Sequence, residues 1–72
     1  MNKVWNYTVY IMIILEKEAK SLVEISHELK VYSLELKNIL DEMIMNNLIV
    51  KNQKYNLTFE GEKIIKQIKV FY

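Results

Sequence analysis

Between residues 3 and 18 apolar side chains recur at helical spacing, with Val4, Tyr7, Ile11, Ile14 and Leu15 on one face. The β-branched and aromatic content would suit a strand as well, but about fifteen residues without a turn signal is ordinary for a helix and long for a strand. A second face of Trp5, Val9, Met12 and Ile13 is apolar too. A helix apolar on nearly every side is either central or shared with another molecule, and in so small a chain sharing is expected. EKEAK at 16–20 closes this segment. SLVEISHEL at 21–29 then opens a second helix with Ser21 and Glu24 at capping-box spacing and with Leu22, Ile25 and Leu29 as its buried stripe. After KVY at 30–32, Ser33 is expected to cap a third helix whose core face is Leu36, Ile39, Leu40, Met43 and Ile44. Asn46 and Asn47 follow where a helix commonly ends in a left-handed residue.

Beyond that point the period changes. LIVKN and YNLTF have strand-like content and flank a polar NQK, which predicts a short hairpin without ideal turn chemistry. Thr58 is placed to cap a last helix, FEGEKIIKQIKVFY, with acids at its start, lysines further on, and Ile64, Ile65, Ile68 and Phe71 on its buried side. Gly61, the only glycine in a chain with no proline, lies one turn into that helix, where the missing side chain lets a neighbour come close. The predicted fold class is mainly α with a small β-hairpin, in the order α-α-α-β-β-α.

Composition narrows what such a fold does. Seventy-two residues, 51% of them hydrophobic, suit one small domain. With no cysteine and one histidine, disulfides, zinc clips and cysteine nucleophiles are excluded, and no metal or cofactor is expected. His27, between Glu24 and Glu28, reads as a surface residue, no glycine-rich loop is present to cradle a phosphate, and no catalytic residue is assigned, so an enzyme is not expected. The most apolar run, 4–15, is too short to span a bilayer and lacks a signal-peptide cleavage site, so a cytoplasmic protein without a membrane partner is expected. All ten basic residues are lysine. Residues 1–50 carry five lysines against seven acids, and residues 51–72 carry five against two, so an anionic partner should meet the C-terminal third.

Two helices joined by a three-residue break and followed by a hairpin make a helix-turn-helix with a wing. Over positions 11–65 the chain resembles the winged-helix DNA-binding domains of MarR- and PadR-type regulators. The likeness rests on SLVEISHEL, on the apolar spacing through ILDEM, on the NNLI that leads into the wing, and on LTFEG leading out of it. Asn47 stands where a glycine often precedes the first wing strand, whereas Leu57, Thr58 and Gly61 match an LTxxG pattern. The resemblance implies a single winged-helix domain over 1–72, with a helix-turn-helix at 21–46, a wing at 48–59 and a C-terminal helix at 59–71.

It also implies a homodimeric regulator of transcription that binds double-stranded, AT-rich DNA. The third helix would enter the major groove with Ser33, Leu34, Glu35, Lys37 and Asn38, Asn38 pairing with adenine and Leu34 touching a thymine methyl. Lys51 and Lys54 on the wing, with Lys20 and Lys30 flanking the second helix, would meet phosphates. The first and last helices would form the two-fold interface through Val4, Trp5, Val9, Met12, Phe71 and Tyr72. One feature opposes DNA: the outward positions of the third helix set Lys37 against Glu35, Asp41 and Glu42. The alternative is a winged-helix module that binds a protein instead, as an accessory or inhibitor factor of a phage or an archaeon would.

Overall fold

The computed structural model describes residues 3–70 as α1 (Lys3–Lys17), α2 (Leu22–Leu29), α3 (Ser33–Met45), β1 (Ile49–Lys51), β2 (Tyr55–Leu57) and α4 (Phe59–Val70). The chain is therefore mainly helical with one antiparallel hairpin, in the order read from the sequence, and α2, α3 and the hairpin form a winged helix-turn-helix. Helix α1 packs against α3, α4 and β2. That central position explains why it is apolar on more than one side. Ile11, Met12 and Leu15 are all buried. Met12, expected at a dimer interface, is only 1% exposed in the single chain and belongs to the core.

Helix α2 begins on the expected capping box. The Ser21 hydroxyl accepts from the Glu24 amide at 3.2 Å, and the Glu24 carboxylate accepts from the Ser21 amide at 2.9 Å. The helix ends at Lys30, whose φ of 57° is left-handed, a conformation that costs a lysine about 1–2 kcal/mol. The surroundings hold it there. The Val31 amide turns back to the Ser26 carbonyl, the Ser26 hydroxyl donates to the Val31 carbonyl, and the Val31 side chain enters the core.

Helix α3 departs from the sequence reading at its start and at the edge of its buried stripe. Its N-cap is Tyr32, without a side-chain cap, while Ser33 is the first helical residue and its hydroxyl lies 3.5 Å from that of Ser26. The α2–α3 turn is tied through Ser26, so Ser33 is drawn toward α2 instead of onto its own helix. Leu36, Ile39, Leu40 and Met43 are buried as expected, but Ile44 is 36% exposed at the edge of the stripe. The helix stops through Asn47 at φ 61°, after which the Leu48 amide bonds back to Met43.

The hairpin pairs Ile49 with Leu57, Val50 with Asn56 and Lys51 with Tyr55. A third extended segment joins it. Lys20, in the α1–α2 linker, exchanges backbone hydrogen bonds with Tyr55 at 2.7 and 3.2 Å. Ile49 and Tyr55 thereby face the core. Thr58 anchors the exit: its hydroxyl accepts from the Gly61 amide at 2.9 Å and reaches the Asn47 carbonyl at 2.6 Å. Gly61 packs so tightly on Leu48 that a β-carbon there would fall well inside contact with the Leu48 carbonyl oxygen. On α4, Ile65 is buried and Ile68 half-buried, whereas Ile64, expected on the core side, is 37% exposed.

Candidate nucleic-acid interface

The residues expected to face a DNA groove lie at the start of α3. A helix that buries Leu36, Ile39, Leu40 and Met43 must turn Leu34, Asn38, Asp41 and Met45 to the opposite side. Ser33, Leu34, Glu35, Lys37 and Asn38 are all exposed. Tyr32, which the sequence reading left unassigned, stands beside them and is among the most exposed large side chains, with Leu34 and Met45 close behind. A shallow open depression lined by Ser26, His27, Lys30, Val31, Tyr32 and Ser33 marks the turn before this helix.

The lysines expected to meet DNA, Lys37 in the groove and Lys20, Lys30, Lys51 and Lys54 on phosphates, are not equivalent. Lys37 donates to Asp41 at 2.9 Å across one helical turn, and that hydrogen bond pushes the lysine pKa upward. Lys20 is half-buried and bound to Glu18 at 2.9 Å, and its pKa is raised in the same way. Lys54 lies 3.7 Å from Glu24. Lys30 and Lys51 have no carboxylate partner among the described residues, and Lys51 instead sits over the Tyr55 ring, 5.3 Å from its centroid. The side chains expected to meet DNA are thus brought to adjoining elements, but of their lysines only these two present a positive charge without a carboxylate partner among the described residues. The Lys37–Asp41 pair also leaves Glu35 and Glu42 as the uncompensated charges of the outward α3 face.

Glu24 has two tasks here. It caps α2 and faces the wing lysine Lys54, and its hydrogen bonds with Ser21 hold its carboxyl below the usual carboxylate range. Because the folded value lies below the unfolded one, the contribution to stability is complete above the ordinary carboxylate range and is lost as pH falls through the folded value. Thermal melts of the wild type should therefore decline in acid more than those of Glu24→Gln, which keeps a capping amide without the charge. Equal acid sensitivity of the two proteins would contradict this role.

The expected dimer face is only partly visible. Val9 is half-buried against the core and Tyr10 is 56% exposed, but the side chains of Val4 and Trp5, and the whole of Phe71 and Tyr72, lie outside the described residues. Among the described residues no group of three or more acidic or histidine side chains is placed to hold a metal, and no helix is long and apolar enough to cross a membrane. Besides Tyr32, the sequence reading passed over Tyr55, assigned there only to a strand, whose ring lies buried beneath Lys51. Its position two before Leu57, hence on the same strand face, was the available signal. No family model, no curated protein and no solved structure matches this chain.

Proposed function

We propose that this chain is a DNA-binding transcriptional regulator of the winged-helix kind, similar in plan to MarR- and PadR-type proteins and working in the cytoplasm as a homodimer without enzymatic activity. The observation that carries the reading is the fastening of the wing beside α3, through β1 against that helix and through Tyr55 to Lys20, with the Lys51 ammonium of β1 held over the Tyr55 ring and free of any carboxylate among the described residues. In this reading Ser33, Leu34 and Asn38 meet base edges while Lys30 and Lys51, with Lys54 exchanging its loose 3.7 Å contact with Glu24 for DNA, position the duplex on its phosphates. The two copies join through α1 and α4, where Tyr10 and Val70 are exposed, and present two reading heads about 34 Å apart.

The test is a gel-shift titration with an AT-rich duplex across salt concentrations. With two to four phosphates contacted per copy, the affinity should fall with a log–log slope of about 2–4 per copy. No binding at the lowest salt would end this reading.

A second reading rests on a different observation. The Lys37–Asp41 pair leaves Glu35 and Glu42 uncompensated, and Tyr32, Leu34 and Met45 are exposed beside them, so the outward face of α3 also suits a basic protein surface with apolar pockets. Capture of one stoichiometric protein, insensitive to nuclease and lost in Glu35→Lys with Asp41→Lys, would favour it.

A further inference from the structure

Tyr55 stands at the middle of three extended segments. It exchanges both backbone hydrogen bonds with Lys20 on one side and lies directly across from Lys51 on the other. Residues directly opposite in antiparallel pairs project to the same face, so the side chains of Lys20 and Lys51 flank the tyrosine ring. The ring itself is 2% exposed, and the Lys51 ammonium is seated over it at 5.3 Å. On α3, which packs against β1, Lys37 is held by Asp41.

The lysines around this ring are held in two different ways. Glu18 holds Lys20 and Asp41 holds Lys37, and in each case the carboxylate cancels the charge it orients. The ring face orients Lys51 without cancelling it, because a quadrupole attracts a cation and leaves its net charge in place. A lysine already oriented loses less freedom when it meets an anion. The arrangement of buried ring and free ammonium is therefore suited to presenting one full positive charge at a fixed point between α3 and the wing.

We infer that Tyr55 is a positioning residue for phosphate recognition: its ring holds Lys51 where a backbone phosphate of bound DNA passes between α3 and the wing. This rests on the DNA-binding reading above and adds a residue and a role to it. The role belongs to the ring face; the hydroxyl is not required.

The experiment compares three side chains at position 55 in two backgrounds, with poly(dA-dT) duplex as the probe. Tyr55→Phe should bind within about twofold of the wild type. Pentafluorophenylalanine in place of Tyr55 keeps the ring shape but reverses the quadrupole, and should weaken binding by about two- to fivefold. In a Lys51→Met background the same exchange should change nothing further, whereas a purely structural role would weaken both backgrounds alike. Without DNA, the ε-methylene protons of Lys51 should resonate upfield of the other lysines in the wild type and in Tyr55→Phe, through the ring current. Wild-type binding that is indifferent to the fluorinated ring overturns the Tyr55 role alone. The upfield shift together with no affinity for the duplex overturns the DNA-binding reading, and this role with it.

Discussion

Gly61→Ala is expected to destabilise the protein by about 3 kcal/mol, although alanine is the better helix former by roughly 1 kcal/mol. The sign is set by what the new methyl group would meet. It would enter the Leu48 backbone carbonyl, with the Leu57 side chain also crowded, and a carbonyl fixed by the wing cannot swing aside as a flexible side chain would. Relief would require α4 to lift from the root of the wing, and lifting it strains the Thr58 hydroxyl that caps α4 and holds the Asn47 carbonyl. A domain of this length has about 4–11 kcal/mol in total. The melting temperature should fall by roughly 10–20 °C in calorimetry or circular dichroism. An unchanged or higher melting temperature would show that α4 does not approach Leu48 as described.

Lys51→Glu combined with Lys54→Glu is expected to reduce DNA affinity at low salt by a hundredfold or more. Each lysine offers one charge-assisted contact worth about 1.5–3 kcal/mol, and each reversal adds repulsion to the loss. The salt slope should fall by about 1.8 as two phosphate contacts disappear. The fold should survive, since both side chains are exposed and the Lys54–Glu24 pair is a surface pair worth at most about 1 kcal/mol. Titrations of wild type and variant, with a melt of each, separate the two effects. A variant that melts normally and binds DNA as tightly as the wild type would remove the wing from the interface.

The parts of this fold that the sequence revealed are those whose cause is local. The Ser21–Glu24 box, the left-handed Asn47, the Thr58 cap and the close approach at Gly61 all depend on residues within a turn of one another, or on what one residue lacks. The misreadings have non-local causes. Ser33 looked like a cap, but the Ser26 hydroxyl across the turn engages it. Met12 looked like surface to be shared, but β2, α3 and α4 enclose α1. Ile44 and Ile64 sit at the edges of stripes whose width is decided by the neighbouring element. At the candidate site the identity of the exposed lysines was legible, but the pairing of Lys54 was not, because Glu24 and Lys54 are thirty residues apart in the chain.

The Lys20–Tyr55 bridge also bears on the order in which the molecule assembles. Three residues a side is too little for a hairpin to persist by itself in water. Its second strand also bonds to the α1–α2 linker, so the wing is expected to form late, on a helical nucleus already in place and with the linker as its template. Protection of the Tyr55 and Lys20 amides from hydrogen exchange then reports on the whole domain, while the amides of Gln53 and Lys54 at the tip exchange freely. A protein that reads a duplex with this wing would keep a rigid root and a tip free to follow the backbone.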